Sequence, residues 1–144
     1  MSNENENSQT ELILKRSIES LYSNQPNIFE FTSETGQSEW NLAHHLAIEI
    51  HKNYPNFDCD IDVIKVNYNR MRPDIILHHR GTHDDNFLVV EIKRDGSMAD
   101  MRSDLRKIKN HWLLPPLSYK FGAVINLKRD KTFEVKIISL KSQA

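Results

Sequence analysis

Apolar and polar positions along the chain follow two rhythms, one helical and one of extended strands. From Thr10, with Glu11 in the first turn, Leu12, Ile13, Ile18 and Leu21 recur at helical spacing and predict an amphipathic helix ending near Asn24 to Pro26. Residues 27–31 are compatible with a strand or an extended link. Residues 33–38 are rich in turn formers, and Ser38 stands where an N-cap belongs. Behind it, Leu42, Ala43, Leu46, Ala47 and Ile50 form one apolar stripe and predict a second helix. Residues 58–68 alternate and predict a first strand.

The most informative pattern comes next. Ile75-Ile76-Leu77 and Phe87-Leu88-Val89-Val90 are apolar runs rich in β-branched residues, separated by the turn-rich Gly81-Thr82-His83-Asp84-Asp85-Asn86. They predict an antiparallel hairpin folded about Thr82 and His83. That fold brings Asp74 roughly opposite Glu91 and Ile92. Side chains alternate along a strand, so Glu91 and Lys93 share one face while Val90 and Ile92 point to the other. Beyond the hairpin, Ser97 is a candidate N-cap. Met98, Met101, Leu105 and Ile108 predict a helix, with Asp100, Arg102, Asp104, Arg106 and Lys107 around it. Pro115-Pro116 breaks the pattern, residues 119–127 predict a buried strand, and residues 133–138 predict a last strand at a sheet edge.

Composition narrows the class. The chain has 144 residues, the size of one domain, with 38% hydrophobic and 27% charged residues, as in soluble globular proteins. Residues 1–9 are polar and expected to be a disordered tail, leaving residues 10–144 as a single domain. No apolar run approaches the roughly 20 residues of a membrane span. The polar start also lacks the apolar core of a signal peptide. One cysteine, Cys59, excludes an intrachain disulfide, and the expected location is cytoplasmic. A net charge of −1 argues against a generally basic nucleic-acid binder, so any such surface must concentrate its lysines and arginines on one face.

Candidate chemistry sits on the hairpin. Cross-strand neighbours lie about 4.5–5.5 Å apart, so Asp74 and Glu91 can reach one small cation with the Lys93 ammonium beside it. Charged side chains are seldom buried unless they are paired or bind something. Two carboxylates suit Mg²⁺, which takes one or two of them together with substrate phosphates and waters. A lysine can orient or help deprotonate a water and stabilise charge on a phosphate. Glu-x-Lys alone is weak, because it also occurs as a solvated ion pair. Its combination with Pro-Asp and two apolar runs across a turn is far more specific.

Pro73-Asp74 and Glu91-Ile92-Lys93 resemble the two motif elements of the PD-(D/E)xK nuclease superfamily. The stretches Glu39-Trp40-Asn41-Leu42-Ala43-His44-His45-Leu46-Ala47, Tyr68-Asn69-Arg70 and Arg72 to Gly81 resemble a branch of small prokaryotic proteins within it, over roughly residues 38 to 127. The resemblance implies an α/β fold, restriction-endonuclease-like, with a central mixed β-sheet of about four to five strands flanked by helices. It implies a nuclease dependent on Mg²⁺, or Mn²⁺, that hydrolyses phosphodiesters, with DNA the expected substrate. Asp74 and Glu91 would be metal ligands and Lys93 the water-positioning residue. Glu39 best matches the further acidic ligand that the superfamily's first helix supplies. From spacing alone Glu39 is as readily a residue favouring the helix dipole, and Glu49 is the fallback. Arg70, Arg72, Arg94 and Lys107 are the candidates for phosphate contact.

Two other function classes remain beside this one. A catalytically silent relative would bind nucleic acid or a protein partner. A transition-metal site built from His78, His79 and His83 is the weaker alternative, because adjacent residues on a strand face opposite ways. One compact site cuts one strand, so cutting a duplex twice requires a homodimer or a partner chain.

Overall fold

The computed structural model describes residues 3–29, 39–64 and 72–140. Five strands, β1 (Asp58–Ile61), β2 (Ile75–His78), β3 (Leu88–Arg94), β4 (Phe121–Leu127) and β5 (Phe133–Ile138), form one sheet in that spatial order. All neighbouring pairs are antiparallel except β3 and β4, which are parallel. A parallel pair needs a long crossover. Here the crossover carries α3 (Met98–Lys107) and a π-helical turn, Ile108–Trp112. The chain is therefore α/β, with a mixed five-stranded sheet flanked by three helices, the fold class that the resemblance implies.

Alternation sorts the strand side chains into two cores. Ile75, Leu77, Val90, Ile92, Ala123 and Ile125 pack with α1 (Asn3–Asn24) and α2 (Glu39–Asn53) on one face. Ile76, Val89 and Val124 pack with Met101, Ile108 and Trp112 on the other. The second layer sits tight on the sheet: a Cβ added at Gly122 would lie 2.2 Å from Ile108 Cγ2, so β4 needs a glycine there. Among the described residues, no helix is long and apolar enough to cross a membrane.

Local differences from the predicted elements have identifiable causes. The first helix begins at Asn3, so residues 3–9, expected to be disordered, are helical. Thr10 is buried, and Glu6 reaches Lys120 at 3.2 Å, so tertiary contacts anchor a segment whose composition alone would not hold it. Residues 26–29 form a turn in which Ile28 N–H donates to the Gln25 carbonyl (3.1 Å), and residues 30–31 of the predicted strand or extended link lie outside the described residues. β1 stops at Ile61 instead of running on toward residue 68. Asp62 takes a left-handed conformation (φ 55°) and donates its N–H to the Pro73 carbonyl at 3.1 Å. Ser38, Arg70 and the remainder of the predicted first strand from residue 65 lie outside the described residues.

Candidate active site

The hairpin register places the first two site residues. Ile75 pairs with Val90, and the antiparallel count continues to set Asp74 against Glu91. Asp74 Oδ2 accepts the Ile92 backbone N–H at 2.6 Å, which ties the carboxylate to the end of β3. The first core takes Val90 and Ile92, so Glu91 and Lys93 emerge on the α3 face, as alternation predicts.

Electrostatics bind these groups together. Partial burial and the Asp74 charge beside it push the Glu91 carboxyl up to about 9. Without a cation Glu91 is thus protonated at neutral pH and donates a hydrogen bond to Asp74. Asp74 is also raised, by burial first and by the Glu39 charge, against the lowering effect of the Ile92 N–H, Glu91 and Lys93. Two carboxyl groups that cannot both ionise unaided form a poised anionic pair.

Lys93 completes the group. Burial pulls its pKa down, but Asp104, Glu39 and Glu91 more than offset this, and the net shift is upward. The ammonium therefore stays charged, which suits it to orient a water and stabilise a phosphate rather than to take a proton. Its Nζ lies 3.1 Å from Asp104 Oδ2, an ion pair. Asp104 is only 4% exposed. A second anchor lies across β4: fully buried Asn126 pairs in register with Lys93. Its side chain accepts from Gly96 N–H (2.8 Å) and donates to Gly96 C=O (2.9 Å), fixing the turn that follows β3.

Asp104 is the residue that sequence reasoning missed. The stripe Met98, Met101, Leu105 and Ile108 was expected to face the sheet. Met101, Asp104 and Ile108 do so, whereas Met98 is 53% exposed. A signal was present, since Asp104 stands three residues after Met101 and four before Ile108, on the same helical face. Ser97 does cap α3: its Oγ accepts from Asp100 N–H and its own N–H donates to Asp100 Oδ2, each at 3.1 Å.

The other candidates separate. Glu39 opens α2, half-buried, and its charge acts on both Asp74 and Lys93. Among the described residues, no three or more His, Cys, Asp or Glu side chains are grouped to hold a metal. Glu49 turns to Asn24 and to Lys52, the latter at 3.2 Å, and so serves the contact between α1 and α2. Arg72 is exposed and clamped by Asp62, with Nε and Nη2 at 3.0 and 2.6 Å. Lys107, on α3, reaches Asp104 at 3.8 Å, and Arg94 is exposed at the end of β3.

His78 pairs with Asp60 at 2.7 Å while His79 pairs with Asp85 at 3.4 Å, so the adjacent histidines serve different carboxylates. Burial pushes the Cys59 thiol up to about 11, which leaves it a poor nucleophile.

Asp74 opens into a cleft of about 440 Å³ between α2 and the ends of β1 and β2, lined also by Trp40, His44, Ile61 and Asp62. Of the three groups only Asp74 lines this cleft, Glu91 and Lys93 lying on the α3 face. Two hard oxygen donors beside an ammonium suit a Mg²⁺-like ion that completes its shell with waters and phosphate oxygens. The sequence matches no protein-family profile, and no functionally curated protein matches it.

Proposed function

We propose that the chain is a metal-dependent nuclease that hydrolyses phosphodiester bonds with Mg²⁺ or Mn²⁺, DNA being the expected substrate. The observation that carries this reading is the Asp74–Glu91 pair, in which Glu91 is pushed up to about 9 next to a charged Lys93. Such a pair is costly to bury unless a cation relieves it. The resemblance of Pro73-Asp74 and Glu91-Ile92-Lys93 to the PD-(D/E)xK superfamily points the same way.

When bound, the cation would polarise the phosphate and acidify a water. Asp74 and Glu91 would hold it, with Asp74 oriented by the Ile92 N–H. Glu39 would contribute negative charge from the start of α2. Lys93, steadied by Asp104, would align the attacking water and offset charge growing on the phosphate. Arg72 and Lys107 would meet neighbouring phosphates, together with Arg70 and Arg94.

One observation favours a second reading, a silent binding module of the same fold: the Lys93 ammonium already has a buried carboxylate partner, so it can serve as a structural cation. A single assay separates them. Single-stranded, duplex and branched DNA, and RNA, are incubated with Mg²⁺ or Mn²⁺ beside the Asp74→Asn and Glu91→Gln variants. Cleavage by the wild type that both variants lose supports the nuclease. Binding without cleavage under either metal supports the silent module.

A further inference from the structure

Trp40 is 60% exposed, although an indole is among the most costly side chains to leave in water. It directly follows Glu39 and lines the same cleft as Asp74. Ile61, itself 40% exposed, lines that cleft too, and so does His44. The Arg72 guanidinium stands 5.9 Å from the indole centroid, held there by its two bonds to Asp62. The cleft continues into a second one of about 300 Å³ that shares His44 and Ile61 and follows the edge strand β1 past Ile48 and His51.

We propose that Trp40 is a stacking platform for an unpaired nucleobase, and that it holds the nucleotide next to the phosphate at Asp74. The substrate is thereby single-stranded or locally unpaired nucleic acid. For what happens at Asp74 this rests on the nuclease reading, but the binding it predicts is measurable without cleavage. With Arg72 lying over one side of the indole and His44 lining the same cleft, a base plane can stack against this aromatic–cation pair, and stacking of this kind tolerates any base. Bases within a duplex have their faces covered by their neighbours, so only an unpaired or extruded base can use the site. Two carboxylates along the groove have cationic partners: Asp62 is paired with Arg72 and Asp60 with Arg80 (Nη2 at 2.7 Å), while His78 hydrogen-bonds Asp60. The second cleft gives adjacent nucleotides a path away from the catalytic end.

The chain has two tryptophans, and the other, Trp112, is buried against Tyr119. Quenching of indole fluorescence by a short oligodeoxythymidylate therefore reports Trp40. Affinities of wild type, Trp40→Ala and Trp40→Phe are read from the fluorescence anisotropy of an end-labelled oligodeoxythymidylate, with Ca²⁺ replacing Mg²⁺ and melting temperatures as the check on folding. Expected are saturable quenching in the wild type, a roughly 5- to 150-fold loss of affinity in Trp40→Ala, and substantial recovery in Trp40→Phe. Duplex of the same sequence should bind wild type and Trp40→Ala alike. Wild type that fails to bind the oligonucleotide, or Trp40→Ala that binds it as tightly, overturns the proposal. A wild-type dimer that Trp40→Ala dissociates without loss of oligonucleotide affinity overturns it too, and assigns the groove to a second copy of the chain. Cleavage scored separately keeps the two readings apart. Trp40-dependent binding in a protein that cuts nothing with Mg²⁺ or Mn²⁺ upholds the platform and removes the nuclease. Cleavage with binding indifferent to Trp40 does the reverse.

Discussion

The Lys93 ammonium on β3 lies 3.1 Å from the buried Asp104 carboxylate on α3. The crossover helix that makes β3 and β4 parallel neighbours thus also supplies the counter-charge that keeps the lysine protonated. Fold topology and site electrostatics share this one contact.

Replacing Lys93 by Ala should separate binding from chemistry. Both carboxylates remain, so nucleic acid should still bind with Mg²⁺ present. Cleavage should fall on the order of 10²-fold or more, the scale of a lost acid–base or electrostatic group. Single-turnover rates at saturating protein measure this directly. An unchanged rate would remove Lys93 from the mechanism.

Asp104→Asn keeps the shape and removes the charge. Cleavage should drop roughly 10- to 100-fold, as when an outer partner of a functional group is lost. The alkaline limb of the pH–rate profile should also move to lower pH, because Asp104 is the largest of the groups that raise Lys93. If only the melting temperature falls and the profile keeps its position, Asp104 supports the fold alone.

In the metal-free protein the Asp74–Glu91 pair should favour folding more as pH falls from about 9 toward about 4.5. Glu91 has an ordinary value of 4.5 and is raised to about 9 in the folded chain, so the native state binds the extra proton. Its contribution is full below about 4.5 and is lost as pH rises toward about 9. Asp74, also raised, acts in the same direction. Melting temperature should therefore decline across that window, Glu91→Gln should flatten the decline, and Mg²⁺ should oppose it by binding the ionised pair. A flat profile in the wild type would contradict the proximity of the two carboxyls.

Glu39→Gln tests how far the start of α2 serves the site. Because the Glu39 charge acts on Asp74 and Lys93, its loss should weaken Mg²⁺ affinity in a calorimetric titration while the fold persists. A residue that only favours the helix dipole would instead cost roughly 0.3–1 kcal/mol of stability and leave affinity and turnover unchanged.

Much of this molecule is legible locally. Strand and helix periods place β2, β3, β4, β5 and α2, because burying one face imposes a repeat on the residues themselves. The Asp74–Glu91 apposition is equally local, since a hairpin register needs only alternation and a turn. The Ser97 cap is readable for the same reason, its partners being three residues apart. Tertiary structure decided the rest. Residues 3–9 look too polar to order, yet they are helical because Lys120 and the core meet them from elsewhere in the chain. Asp104 looks like a solvated helix residue until the crossover lays α3 over β3, where the Lys93 charge makes a buried carboxylate tolerable. Glu49 looks like a spare ligand until α1 arrives to bond it. Whether a charged side chain is a ligand, an anchor or a surface group depends on which opposite charge folding brings within about 4 Å, and no local period in a sequence encodes that distance.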